Sequence, residues 1–305
     1  MNGTMRCALL GTTALLLAAA CVPSAPRRTA RPEVPIAPWT ERAVRSAASC
    51  AEYRYLHLDG PAPGAPVLLL LPGGFYDARI FLNMAALSER FEVVALDWPD
   101  GCAMYTGRIG DYGDIAADFL GALGVKEIYL AGVSMGTYAA IDLASRKREI
   151  SVKALALYST VMFGIDEDEV ARRERMARMG LRLGPDKMRA LIEVGVRRAE
   201  YEEAPGVPQS EIFWVRPYSY YYQVFSMTLN QGAERQATRE ITCPTLVVHG
   251  DEDDVMPVKW ARLTTSAFPD AEYVEEPGGA HSMIYSRGPK LAKALLDFFA
   301  RRAPP

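Results

Sequence analysis

Ser134 stands in Gly132-Val133-Ser134-Met135-Gly136, after the apolar run KEIYLAGV and ahead of the helical run TYAAIDLASR. A bare GxSxG pattern carries little information, but this one falls on a predicted strand, tight turn and helix junction. A nucleophile projected from such a turn needs small residues two positions to either side, so that strand and helix can approach closely. Its hydroxyl then stands at a helix N-terminus, where N–H groups and the helix dipole favour developing negative charge. Serine is a poor nucleophile until a neighbouring base takes its proton, and histidine is the side chain best matched to that task near neutral pH.

Three histidines are available, His57, His249 and His281. His57 lies inside the run YRYLHL and reads as structural or exposed. His249 ends TLVV, where an imidazole either packs under the following loop or serves as the base. His281 sits in EEPGGAHSM, a Gly-flanked loop after the last strand and before the terminal helix, from which it can reach over the sheet end; it is the leading candidate base. The base in turn needs an acceptor for its second N–H, to hold the tautomer and stabilise the imidazolium. Asp251, Glu252, Asp253 and Asp254 crowd the loop HGDEDDVMP, which follows a strand and precedes His281. Composition does not choose among the four, and each taken singly also reads as a solvated turn.

Positioning these groups requires a scaffold. Short β-rich runs recur at Tyr53 to Leu58, Val67 to Leu71, Val93 to Leu96, Ile128 to Val133, Ala154 to Tyr158, Thr245 to His249 and Tyr273 to Glu275. Several are continuously apolar, as strands covered on both faces are. Helical patterns at Phe81 to Arg90, Tyr112 to Leu123, Gly136 to Arg146, Trp260 to Ala267 and Pro289 to Arg301 alternate with them. The alternation predicts an α/β fold with an open, mostly parallel sheet, whose sites form at the carboxyl ends of strands. Phe163 to about Arg239 breaks the rhythm, being charged in its first half and aromatic in its second. It reads as a helical cap inserted before the acid-bearing strand. Trp214, Tyr218, Tyr221 or Tyr222 and Phe225 recur at near-helical spacing, as cap core or as substrate contacts forming a pocket roof.

The 305 residues are about half apolar and 23% charged, which is ordinary globular composition and excludes collagenous, low-complexity and wholly disordered chains. Thirty-four Lys plus Arg against 37 Asp plus Glu leave a net charge of -3, so no basic field recommends nucleic acid as a partner. Arg6 followed by an apolar stretch from Ala8 to Ala20 has the signal-peptide pattern, and the stretch is short of the ~20 residues of a spanning helix. Residues 1–20 are thus expected to be a signal peptide, 21–50 a Pro- and Arg-rich tether, 51–162 and 240–305 the core, and 163–239 the cap. Of five cysteines, Cys50, Cys102 and Cys243 remain in the body without CxxC or Cys/His metal spacing, so metal catalysis is not expected.

The three loops together resemble the α/β-hydrolases: GVSMG as nucleophile elbow, HGDEDDVMP as acid loop and GGAHSM as histidine loop, in the order Ser, Asp, His, over about Tyr53 to Arg301. The resemblance implies a doubly wound sheet and a serine hydrolase acting, without a cofactor, on a small acyl substrate, a carboxylic ester above all. It carries the acid role onto Asp253, three residues after the Gly, with Asp251 second. LLLLPGGFYDARIF resembles the family's oxyanion loop, with Pro72-Gly73 replacing the usual His-Gly, and leaves that donor open between the N–H of Gly74 and that of Phe75; Met135 supplies the other. DWPDGCAMYTG departs from the family's run at that place, and only one strand is legible before Val67 where relatives carry two. Ala19-Ala20-Cys21 resembles a bacterial lipobox, which implies lipid attachment at Cys21 and a membrane-tethered enzyme of the cell envelope; ordinary secretion is the alternative. Acyl transfer and cofactor-free peroxidation on the same fold, or a non-catalytic module that binds a lipid or an envelope partner, are the competing functions.

Overall fold

Leu68, Leu69, Leu70 and Leu71 are all fully buried, because their strand is covered on both faces. Leu68 and Leu70 join one hydrophobic cluster and Leu69 and Leu71 the other, the period-two alternation that a pleated strand imposes. Complete burial of side chains of this size stabilises the fold by about 1.5–3 kcal/mol each. The same division recurs at Tyr129, Ala131 and Val133 against Ile128 and Leu130.

This computed structural model describes residues 33–74, 76–99, 110–146, 149–160, 171, 175, 178–184, 187 and 234–304. The expected signal peptide, Cys21, Phe75, Cys102, and Trp214, Tyr218, Tyr221, Tyr222 and Phe225 of the expected cap lie outside them. The strands are β1 (Thr40–Arg45), β2 (Glu52–Leu58), β3 (Val67–Leu71), β4 (Glu92–Leu96), β5 (Glu127–Val133), β6 (Ser151–Tyr158), β7 (Thr245–Gly250) and β8 (Ala271–Glu276). The helices are α1 (Gly110–Leu123), α2 (Met135–Ser145), α3 (Glu234–Glu240), α4 (Val258–Thr265), α5 (Met283–Ser286) and α6 (Gly288–Arg302), with a 3₁₀ segment at Ala78–Glu89 kinked at Met84.

One eight-stranded sheet runs β1-β2-β4-β3-β5-β6-β7-β8. The β1/β2 and β2/β4 pairings are antiparallel and the rest parallel. The 3₁₀ segment, α5 and α6 pack into the cluster on one face, and α1 and α2 into that on the other. After β3 the chain turns one way to β4, then crosses back to β5 on the other flank of β3. The strand order therefore reverses between β3 and β5, and their carboxyl ends frame the crevice such sheets use for ligands.

The tether expected to reach residue 50 is corrected here: it gives way at Thr40 to β1, the second antiparallel strand that the sequence hides. Of Thr40–Arg45 only Val44 is even partly covered, so no apolar period marks it. A backbone ladder holds it instead, in register from Thr40 opposite His57 to Arg45 opposite Glu52. Trp39, buried at the strand's entry, donates its indole N–H to the Leu82 carbonyl at 3.1 Å. At the other end, Asp118 of α1 accepts hydroxyls from Ser46 (2.7 Å), Ser49 (2.5 Å) and Tyr53 (2.6 Å).

Partial burial alone would raise the Asp118 pKa, but the three hydroxyl donors outweigh it and hold the carboxyl below its ordinary value. Their contribution to stability is therefore present above the unfolded carboxylate pKa and lost as pH falls through the folded one. Asp118→Ala should lower the unfolding free energy at pH 7 by about 1–3 kcal/mol, read by urea denaturation; an unmoved midpoint would show that the β1–β2 turn is not held this way.

Candidate active site

Ser134 occupies the turn between β5 and α2 with φ 51 and ψ -118, a left-handed conformation costly for a residue with a side chain. Surrounding contacts hold it there. Its N–H donates to the Tyr158 carbonyl at 2.9 Å, and its carbonyl accepts the Thr137 N–H at 2.9 Å and the Thr137 hydroxyl at 2.6 Å. The GxSxG glycines are required by contact: a Cβ on Gly132 would lie 2.5 Å from the Gly136 carbonyl oxygen, and one on Gly136 would lie 2.2 Å from that of Leu71.

His281 comes from the loop between β8 and α5. Its Nε2 lies 3.0 Å from Ser134 Oγ, and its Nδ1 lies 2.9 Å and 3.1 Å from the two oxygens of Asp253. Asp253 follows β7 and is buried, and its Oδ1 also accepts the N–H groups of Val255 (3.0 Å) and Met256 (2.7 Å). The carboxylate only accepts, so Nδ1 carries the proton and Nε2 faces the serine as acceptor. Burial by itself would lower the His281 pKa, yet the negative charge of Asp253, its hydrogen bond and the charge of Asp254 prevail and raise it.

The structure thus brings Ser134, Asp253 and His281 together and assigns the other candidates elsewhere. Asp251 points its carboxylate at the Gly278 N–H (2.6 Å), bracing the histidine loop and not the imidazole. Beside it Gly250 meets Gly279 so closely that a Cβ on Gly250 would lie 1.9 Å from the Gly279 carbonyl oxygen, and Glu252 N–H donates to that oxygen at 3.1 Å. His57 is buried with its Nε2 3.0 Å from Glu92. His249 is buried under the acid turn. Cys50 and Cys243 carry free thiols, and burial pushes that of Cys243 up to about 11.

Gly73, at the tip of β3, comes against the nucleophile, since a Cβ there would lie 3.2 Å from that of Ser134. Gly74 follows directly. Its loop is fastened by the Trp98 indole N–H on the Pro72 carbonyl (3.0 Å), by Ala78 N–H on the buried Asp97 (2.6 Å), and by a buried Asp77–Arg79 ion pair at 2.6 Å. Met135 is the first residue of α2, where N–H groups have no partner within the helix. Together these tips can hold an acyl carbonyl over Ser134 with its oxygen toward backbone N–H donors.

Several supporting residues carry no sequence signal. Ser159, buried at the tip of β6 with φ 51, donates its hydroxyl to the His281 carbonyl at 3.0 Å. Thr160 pairs its hydroxyl with that of Thr137 at 2.8 Å. Arg287 donates to the carbonyls of Pro277 (2.6 Å) and Gly278 (2.9 Å) and to buried Glu276 (2.7 Å), gripping the histidine loop from beneath. Among the described residues no cluster of three or more His, Cys, Asp or Glu could hold a metal, and no helix is long and apolar enough to cross a membrane.

Comparison with known proteins points to the same fold. The profile of the alpha/beta hydrolase family matches residues 68–294. A relative named putative carbamate hydrolase RutD, from Klebsiella pneumoniae (strain 342), is 26% identical over 258 residues, covering 80% of this chain and 95% of its own. A thermophilic esterase from Thermogutta terrifontis superposes with a TM-score of 0.68 at 20% identity, covering 86% of this chain and 98% of its own. A putative lipase from Acinetobacter baumannii superposes at 0.71 with 16% identity, covering 86% and 91%.

Asp253→Asn removes the nearer of the two charges that raise the His281 pKa and leaves the burial that lowers it. The imidazole, raised above its ordinary value in the wild type, should then titrate at lower pH in the variant, read by NMR; equal values would separate His281 from Asp253.

Proposed function

We propose that this chain, which belongs to the alpha/beta hydrolase family, is a serine hydrolase that cleaves a carboxylic ester or related acyl compound through an acyl-enzyme. The observation that carries this reading is the unbroken chain of contacts from Ser134 Oγ through His281 to Asp253, at 3.0 Å and 2.9 Å. Ser134 attacks the acyl carbon as His281 Nε2 takes its proton. Asp253 stabilises the imidazolium that forms. The oxyanion is held by the N–H of Met135 and that of Gly74 or Phe75, each donor worth about 2.7–4 kcal/mol in the transition state. Collapse returns the proton to the leaving group. A water molecule, deprotonated in turn by His281, then attacks the acyl carbon, and His281 returns that proton to Ser134 Oγ as the acid departs.

The names of the relative and the two structures, a carbamate hydrolase, an esterase and a lipase, share cleavage of a bond between an acyl carbon and a heteroatom, which supports the same class for this chain. The reading also takes the protein to the bacterial cell envelope through its leader, with a lipid anchor at Cys21, on the strength of the Ala19-Ala20-Cys21 run.

Purified protein should turn over p-nitrophenyl acyl esters and label at Ser134 with a fluorophosphonate. Ser134→Ala should lose on the order of 10⁴-fold or more in kcat, and Asp253→Asn about 10⁴-fold, while Asp251→Asn keeps its turnover. Wild-type rates in Ser134→Ala would reject the mechanism, and an acyl product found wholly on a competing alcohol would replace hydrolysis with transfer. For the anchor, Cys21→Ser should move the expressed protein from the membrane fraction to the soluble one; an unchanged distribution would remove Cys21 from that role.

A further inference from the structure

His249 is a fully buried imidazole to which the mechanism gives no task. It is the penultimate residue of β7 and lies beneath the acid turn, with Nε2 2.6 Å from the Met256 carbonyl oxygen and 3.4 Å from Asp253 Oδ2. A carbonyl only accepts, so Nε2 carries the proton. Nδ1 is then a bare acceptor, and it finds no hydrogen-bond partner among the described residues. An apolar side chain of similar volume would fill the space without that unsatisfied atom, so packing alone does not explain an imidazole here.

What the N–H does is specific. It holds the Met256 carbonyl, and the N–H of the same Met256, with that of Val255, donates to Asp253 Oδ1. The turn is therefore closed by the His249 N–H on the Met256 carbonyl, while the two backbone N–H groups and His281 Nδ1 converge on the carboxylate. We infer that His249 is a positioning residue for the candidate acid: its Nε2–H fixes the turn so that both oxygens of Asp253 face His281 Nδ1. The inference rests on the serine-hydrolase reading for its kinetic consequence but not for its structural one.

The surroundings suit a neutral donor. Burial lowers the His249 pKa, opposed by Asp253 and Glu275 and reinforced by His281, the titratable groups that face it from the acid turn, from β8 and from the histidine loop. A neutral imidazole donates to the turn without bringing a second positive charge to compete with His281 for the carboxylate.

Two variants separate this role from bulk packing. His249→Gln keeps an N–H at the position of Nε2; His249→Leu fills the space without one. The positioning role predicts that His249→Leu melts within a few degrees of wild type yet loses about 10- to 100-fold in kcat on p-nitrophenyl acetate, with KM within about two-fold. The acid limb of its kcat/KM profile should move to lower pH, and His249→Gln should recover most of both. The His281 NMR titration should show the same downward movement in His249→Leu and its recovery in His249→Gln, whether or not the protein hydrolyses anything. Wild type that lacks turnover while His281 responds in this way would count against the serine-hydrolase reading and for the positioning of Asp253. Unchanged kcat and an unmoved His281 in His249→Leu overturn the inference, as do equal losses in the two variants. Should Leu not fold, the donor-free His249→Met replaces it; failure of both to fold while Gln folds makes the N–H structural and also overturns it.

Discussion

A carboxylate buried away from water is costly unless donors surround it, and the architecture around Asp253 follows from that constraint. Two backbone N–H groups and the Nδ1–H of His281 meet its oxygens within 3.1 Å. Supplying the backbone donors fixes the shape of the turn after β7. Supplying the imidazole requires the loop after β8 to lie against that turn, which glycines at positions 250 and 279 allow. The charge so held acts on the imidazole in turn, overcoming the burial that would otherwise lower its proton affinity. Stability and proton affinity are here two readings of one electrostatic arrangement.

The sheet supplies the frame in which this arrangement meets the serine. Reversal of strand order between β3 and β5 opens the crevice, and the tip of β6 lies beside it. Ser134 and Ser159, each two steps or fewer from the end of a neighbouring parallel strand, both adopt φ 51. One hydroxyl faces the imidazole; the other holds the backbone that carries the imidazole. Left-handed residues with side chains persist where their surroundings over-determine them, and their pairing at adjacent strand tips marks where the fold keeps its strain.

The motif-bearing parts were legible because their chemistry forces unusual sequences. GVSMG needs its glycines for backbone contact, and GGAHSM needs its own to meet the acid loop. The interior strands were legible because burial on both faces leaves continuous apolar runs. Other parts left no trace for a physical reason. Strand β1 is held by a ladder of main-chain bonds at an exposed edge, and a ladder needs no particular side chains. Asp251 and Asp253 are the same residue type two positions apart, and only the turn's geometry sends one to Gly278 and the other to His281. Ser159, Trp98 and Arg287 act on carbonyls distant in the chain, so nothing local announces them. The charged and aromatic stretch read as a cap falls largely outside the described residues.

The contact of Gly250 with Gly279 has a mechanical consequence. With backbone on backbone there, and with Asp251 and Glu252 bonded across to the histidine loop, the two turns form one interlocked block. Imidazole and carboxylate ride on the same block, whereas the serine belongs to another, built from β5 and α2. The imidazole's grip on its counter-ion is therefore set within one block, whereas the gap between oxygen and imidazole spans two. Of the successive proton positions, the hand-off from the alcohol is the one that depends on how the two blocks seat against each other.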